Sequence, residues 1–291
     1  MKLVLLVGPP GSGKSTLAKK YVDEGYIYIN QDEQGKGHLY DFDMAILEKK
    51  NVLVDRMNFN KFQRSRYLDI AKQHGYYTSI FVLHESYDTC MERMKKRTGH
   101  PTISDETTAE KALRFFFRSY ERVEDSEAND VIRTWPGGKK PSAIICDLDG
   151  TLCDVEHRIH HVRRSDGQKK DWFNFFREIP NDPLNKWCAD ILRKFSHDPY
   201  ESKRIVLCSG RDDNQRKMTQ DWLSKHNIFY NDLYMRQRGD SRQDNVVKEI
   251  ILDFEILTRF TPYFMIDDRK QVVDMWRRRG FTCLQCAEGD F

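Results

Sequence analysis

The sequence predicts an α/β protein of two doubly wound parallel-sheet domains, the second with a helical insertion. Three observations predict it. The chain has 291 residues, too many for one ordinary domain and enough for two with separate cores. Short apolar runs alternate with helical stretches in both halves, the pattern of parallel strands covered by helices on both faces. A proline- and glycine-rich stretch, Thr134-Trp135-Pro136-Gly137-Gly138-Lys139-Lys140-Pro141, interrupts the alternation. Domains are therefore expected at 1–135 and 142–291, joined by a linker at 136–141.

In the first half, Leu3 to Val7 is a continuous apolar run and reads as a strand buried on both faces. Lys14 to Val22 reads as a helix, Tyr26 to Ile29 as a strand, and Val52 to Val54 as a strand ending on Asp55. Phe62 to Gln73 is helical, Tyr77 to Leu83 a strand, and Tyr87 to Lys96 helical again. In the second half, Ala143 to Cys146 is a strand ending on Asp147, and Ile205 to Cys208 one ending on Ser209. Tyr263 to Ile266 runs into Asp267 and Asp268. The long polar stretch from Cys153 to Phe195 is the helical insertion.

Composition narrows the class. Hydrophobic residues at 39% and charged residues at 32% fit a globular protein with a heavily charged surface. No apolar run is long enough for a bilayer, and Met1 to Val7 runs straight into Gly8 as a strand does. A cytoplasmic protein is expected. The seven cysteines are scattered and mostly within apolar runs, which predicts buried thiols. Cys283 and Cys286 form a C-x-x-C without a second pair, so a structural role is expected. A net charge of +3 is too weak a bias to establish nucleic-acid binding. The basic clusters Arg163-Arg164, Lys169-Lys170 and Arg277-Arg278-Arg279 read as solvated faces.

Gly8-Pro9-Pro10-Gly11-Ser12-Gly13-Lys14-Ser15 fits G-x-x-x-x-G-K-[ST] between an apolar strand and a helix. In that context the loop's backbone N–H groups curl around phosphate, and the helix N-terminus adds partial positive charge. Lys14 is placed to reach the β and γ phosphates, and Ser15 to ligate magnesium; Thr16 belongs to the same nucleotide-binding set. Asp32, after the second strand, is a candidate general base for an acceptor hydroxyl, with a helix N-cap as the alternative. Asp55 ends the third strand, beside metal and phosphates. Arg93 and Arg97 lie four apart on one helix face before Thr98-Gly99-His100-Pro101, and read as lid arginines over a γ-phosphate.

Asp147-Leu148-Asp149-Gly150-Thr151 follows an apolar strand directly. A carboxylate there faces the ligand crevice of an open sheet. Asp147 is the candidate nucleophile for an aspartyl phosphate, and Asp149 the acid that protonates the leaving alkoxide. Ser209, Gly210 and Arg211 offer phosphate donors, Lys248 neutralises the intermediate, and Asp267 with Asp268 offer magnesium ligands. D-x-D-G-T, Ser, Lys and Asp-Asp, in this order, form a haloacid-dehalogenase-type phosphatase constellation.

With both motifs in place, the chain resembles the phage-type bifunctional polynucleotide 5′-kinase/3′-phosphatases along nearly its whole length. The most specific stretches run from Met235 through Arg236-Gln237-Arg238-Gly239-Asp240 to Asp244 and Lys248, and from Ile266 to Arg278, with Gly289-Asp290-Phe291. The resemblance implies ATP as donor, with Gly8, Gly11, Ser12, Gly13, Lys14, Ser15, Thr16 and Arg93 around it, and Asp32 and Arg97 catalytic. It implies Asp147, Asp149 and Lys248 as the phosphatase chemistry and Arg158, Ser209, Gly210, Arg211 and Asp244 as the phosphate pocket. Ser15, Asp147, Asp149, Asp267 and Asp268 would serve magnesium. The implied substrates are DNA or RNA ends, with a polynucleotide ligase as pathway partner, no membrane, and a homo-oligomeric state left open. One departure is Lys36, where the family carries an arginine that contacts the acceptor strand; lysine is no bidentate substitute. His157, His160 and His161 sit in the divergent insertion as candidate metal ligands. A metabolic small-molecule kinase fused to a sugar- or nucleotide-phosphatase is the alternative reading.

Overall fold

A computed structural model of the chain describes residues 1–96, 105–163, 169–198 and 200–289. Two compact units appear, Met1–Gly137 and Gly138–Phe291.

The first unit holds strands β1 (Lys2–Val7), β2 (Ile27–Ile29), β3 (Val52–Asp55), β4 (Tyr77–Leu83) and β5 (Asp130–Thr134) in a parallel sheet of order β2-β3-β1-β4-β5. Its helices are α1 (Lys14–Asp23), α2 (Gln31–Gln34), α3 (His38–Leu47), α4 (Lys61–Gln73), α5 (Tyr87–Lys96) and α6 (Glu106–Ser119). β1 is buried from Leu3 onward because its apolar run meets helices on both sheet faces. β1 lies between β3 and β4, so the chain departs to opposite sides of it and leaves a crevice beyond its carboxyl end. The P-loop follows β1 into that crevice.

β5 has no counterpart in the sequence reading. It is an edge strand with only half-buried alternate residues, so it lacks an apolar run. Its approach is anchored by Arg64 of α4, fully buried, whose Nε and Nη2 donate to Glu127 at 2.6 and 2.9 Å.

The second unit holds β6 (Ser142–Cys146), β7 (Arg204–Asp212), β8 (Asp232–Arg236), β9 (Thr261–Asp267) and β10 (Cys283–Gln285), parallel in the order β10-β9-β6-β7-β8. Its helices are α7 (Glu156–Ile159), α8 (Trp172–Arg177), α9 (Lys186–Ser196), α10 (Arg216–Lys225), α11 (Asp244–Ile251), α12 (Leu257–Arg259) and α13 (Lys270–Arg278), with a π-helical turn at Leu252–Ile256. The insertion supplies α7, α8 and α9. α8 and α9 bury Phe175, Cys188, Ala189 and Leu192 in one core with Ile144, Ile205 and Leu207 of the sheet.

One expectation is corrected. The strand at 205–208 does not stop before Ser209 but continues to Asp212, with a register shift against β8 between Ser209 and Asp212. The irregularity lets Gly210 and Arg211 face the crevice while the strand still pairs. Of the cysteines, Cys90, Cys146, Cys153, Cys188, Cys208 and Cys283 are buried thiols and Cys286 is partly exposed. No helix among the described residues is long and apolar enough to cross a membrane.

We propose domains at 1–135 and 142–291 with the connection at 136–141. Cleavage engineered between Gly137 and Gly138 is expected to yield two fragments that each unfold cooperatively in urea. Fragments that are soluble only when co-expressed would contradict separate cores.

Candidate active site

The first cavity, about 620 Å³, lies at the carboxyl edge of the first sheet. Gly11, Gly13, Lys14, Ser15, Thr16, Asp32, Asp55 and Arg93 all line it, together with Tyr28, Asn30 and Arg56. Gly13 caps α1 in a left-handed conformation at φ 95°. Lys14 Nζ donates to the carbonyls of Gly8 and Pro9 at 2.9 and 2.8 Å. Gly11 must be glycine twice over: its φ is +82°, and an added Cβ would sit 2.7 Å from the Cys90 carbonyl oxygen. Ser12 is buried behind the loop. Arg93 Nη1 reaches Gly11 O at 3.2 Å, and Nη2 pairs with Glu85 at 2.8 Å.

Asp32 does not cap its helix. Asn30 does, its Oδ1 accepting from Asp32 N at 2.8 Å, which leaves the Asp32 side chain at the cavity wall. Asn30 Nδ2 donates to Tyr28 Oη at 2.6 Å, and Tyr28 Oη donates to Asp55 Oδ2 at 3.0 Å. Burial, with the Asp55 charge beside it, pushes the Tyr28 phenol well above its ordinary range, so it stays a donor. Sequence reasoning missed Tyr28, Asn30 and Arg56. Lys36 is exposed and does not line this cavity. Arg97 and the stretch Thr98–Pro101 lie outside the described residues, as do Arg164, Asp290 and Phe291.

The second cavity, about 360 Å³, is at the carboxyl edge of the second sheet. Asp147, Asp149, Gly210, Arg211 and Asp244 line it, and Arg158, Ser209, Lys248 and Asp267 are buried behind them. Lys248 Nζ stands among three carboxylates, 2.9 Å from Asp147 Oδ1, 2.9 Å from Asp267 Oδ2 and 3.5 Å from Asp244 Oδ2. Burial alone would lower the lysine pKa, but these carboxylates hold it well above its usual value. Burial pushes the Asp147 carboxyl well up; Lys248 opposes that shift, while Asp267, Asp268 and Asp244 reinforce it. Asp244 goes down instead: burial acts to raise it, but Lys248, Arg269 and Arg236 outweigh that.

Asp147, Asp267 and Asp268 each bring an oxygen within 4.8 Å of the others. Asp147 Oδ1 accepts no hydrogen bond among the described residues, since its contact with Lys248 is an ion pair outside hydrogen-bond geometry. Burial, then the Asp267 charge, raise Asp268 to about 6. An all-oxygen, buried, mutually repelling set with an unused lone pair fits a hard divalent cation such as magnesium. The Asp149 side chain is not in this set. Gly150 packs its open side against Asp268: φ is +83°, and a Cβ would lie 2.3 Å from Oδ2.

Asp149 belongs to an arginine cluster. Arg211 Nη2 and Arg158 Nη2 donate to Asp149 Oδ1 at 2.6 and 2.5 Å. Both also reach Asp182, Arg158 Nε at 2.6 Å and Arg211 Nη2 at 3.0 Å. Burial acts to raise the Asp149 pKa, but Arg211 and Arg158 prevail and hold it well below the carboxylate range. Asp149, Cys153 and Asp182 also converge geometrically, but two guanidiniums already occupy their carboxylates, which does not suit a cation. Asp182 is the residue that sequence reasoning missed here; no motif marks it. His161 pairs with Glu178 at 3.0 Å and His157 lies 3.6 Å from Asp182 and 3.9 Å from Glu178; neither joins a metal-ligand group among the described residues.

The fold and sites define a class: a P-loop kinase-like unit followed by a haloacid-dehalogenase-like phosphatase unit. More narrowly, the chain belongs to the family of the polynucleotide kinase PNKP phosphatase domain, whose sequence model matches residues 141–291. It is 24% identical over 310 residues to a putative bifunctional polynucleotide kinase/RNA ligase of Autographa californica nuclear polyhedrosis virus, covering 95% of this chain and 41% of that protein. It is 35% identical over 78 residues to a putative bifunctional polynucleotide phosphatase/kinase of Acanthamoeba polyphaga mimivirus, covering 26% of this chain and 18% of that one. The chain thus spans about two-fifths or less of the length of these relatives. A chain from the solved Pnkp1/Rnl/Hen1 RNA repair complex shares 26% identity over 100% of this chain and 97% of its own, with a TM-score of 0.44.

The Asp182 pairings predict a stability effect. Asp182→Asn leaves two buried guanidiniums short of charge and is expected to cost about 3–5 kcal/mol in urea unfolding at unchanged m-value. A cost under about 0.5 kcal/mol, the range of ordinary surface changes, would show that the arginines do not depend on it.

Proposed function

We propose that the chain heals nucleic-acid ends. Its first unit transfers the γ-phosphate of ATP to a polynucleotide 5′-hydroxyl, and its second removes a 3′-phosphate through a phosphate carried on Asp147. The observation that carries the reading is the buried Asp147–Lys248–Asp267 cluster at the end of β6 and β9, within the matched family region.

In the kinase reaction, Lys14 and the P-loop amides bind the donor phosphates, and Arg93, with Arg97, meets the transferring group. Asp32 takes the proton of the attacking hydroxyl. The link from Tyr28 to Asp55 and through Asn30 to the backbone of Asp32 supports this by tying the base to the donor side of the cavity.

In the phosphatase reaction, an Asp147 carboxylate oxygen attacks phosphorus, and the sugar 3′-oxygen leaves with a proton from Asp149. Water then attacks the same phosphorus, releasing inorganic phosphate and free Asp147, with Asp149 as base. Lys248 offsets the negative charge on Asp147, and Ser209, Gly210, Arg211, Arg158 and Asp244 shape the phosphate pocket. Asp147, Asp267 and Asp268 would hold magnesium, which lowers the repulsion between a carboxylate and a phosphate dianion. The two guanidiniums on Asp149 favour its ionised form. A phosphate competing for them weakens that hold, so substrate binding itself favours proton uptake by Asp149.

DNA or RNA ends are the proposed substrates, with a polynucleotide ligase to join what is healed. The viral relative named as a kinase/RNA ligase supports that pairing. The test is separation of activities. Lys14→Ala should lower γ-phosphate transfer to a 5′-hydroxyl oligonucleotide by about 10²–10³-fold, while Asp147→Asn should abolish 3′-phosphate release. Each variant should keep the other activity. Better phosphate transfer to nucleosides or sugars than to oligonucleotides would favour the metabolic alternative.

A further inference from the structure

The insertion does more than close the second core. α8 puts three aromatic rings beside the phosphatase cavity: Trp172, Phe175 and Phe176 line it on one side, and Arg236, Ser241 and Arg242 are among the groups lining the rest. The three rings have different burial. Phe175 is 1% exposed, under the Arg158 guanidinium at 4.0 Å from its centroid, and is accounted for by packing. Trp172 is 41% exposed, though tryptophan is among the side chains that gain most from burial. It is nevertheless held in place, edge-on to Phe175 at 5.6 Å and stacked on Phe176 at 5.8 Å and 24°. Lys170 Nζ lies over the Trp172 ring at 5.6 Å.

The other wall is equally fixed. Arg236 donates to the carbonyls of Gly210 and Arg242 at 2.8 and 2.6 Å, and Arg242 pairs with Asp240 at 2.6 Å. A rigid aromatic surface beside a basic, polar wall, opening on a phosphate-handling aspartate, is the arrangement that holds a nucleobase by its face and its backbone by charge. The cavity of about 360 Å³ is at the small end of ligand pockets, suited to one nucleotide and not to a duplex.

We infer that Trp172, backed by Phe175 and Phe176, is a stacking platform for the base of the terminal nucleotide whose 3′-phosphate meets Asp147. The inference rests on the phosphatase reading above and specifies how that site selects polynucleotide ends. Stacking is tolerant of base identity, so the platform demands a base without choosing which.

The test compares two single-stranded oligonucleotides of one sequence, both ending in a 3′-phosphate. One carries an ordinary terminal base and the other a tetrahydrofuran residue without a base. The wild-type protein with magnesium should release phosphate from the base-bearing end with a kcat/KM higher by about 5- to 150-fold, the range of one aromatic stack. Trp172→Ala should collapse that ratio toward one, and Trp172→Phe should retain most of it. Equal wild-type rates on the two ends, or an undiminished ratio in Trp172→Ala, would overturn the platform while leaving the phosphatase reading intact. Release from neither end would overturn the phosphatase reading and the platform with it.

Discussion

The ammonium of Lys248 is the charge around which the second unit's acidic cluster is arranged. Three buried carboxylates, Asp147, Asp244 and Asp267, converge on it. Its charge opposes their mutual repulsion and desolvation, holding Asp244 down, while burial still leaves the Asp147 carboxyl raised. The lysine is delivered by α11, four residues after Asp244 on the same face, so one helix supplies both the cation and one of its counter-ions. Asp147 and Asp267 come from the ends of adjacent strands β6 and β9. Sheet register therefore sets the spacing of the two anions, and the helix sets where the cation falls between them.

The first unit solves a related problem with fewer fixed charges. Its phosphate loop relies on backbone geometry, with Gly11 and Gly13 in left-handed conformations and the following helix pointing its N-terminus at the cavity. Near it, the Asp55 carboxylate accepts from the neutral Tyr28 phenol, and Asn30 caps the backbone N–H of Asp32. In both units the reactive groups sit beyond the carboxyl ends of the central strands, where diverging connections open a crevice.

Much of this was legible in the sequence because the informative residues end buried strands. An apolar run closed by Asp147, or by Asp267-Asp268, announces both a strand and a crevice carboxylate, and the P-loop spacing fixes its own conformation. Edge strands β5 and β8 were not legible, since half-exposed strands alternate and carry no apolar run. Asp182 was silent because its role arises only where the insertion folds back on two arginines distant in sequence. Asn30 and Tyr28 were silent too: a cap two residues along and a phenol–carboxylate bond between two strands carry no motif. The family resemblance named Arg158 for the phosphate pocket; in the structure its guanidinium is buried and shared between Asp149 and Asp182.

The central claim is that Asp147, paired with the Lys248 ammonium, carries the phosphate covalently. The most direct measurement is a rapid acid quench of the magnesium-loaded protein with an oligonucleotide bearing a ³²P-labelled 3′-phosphate, followed by peptide mapping. The account predicts a transient, hydroxylamine-labile label on the peptide containing Asp147, absent in Asp147→Asn. Product formation in the first turnover with no label on that peptide, or label on a different residue, would contradict it.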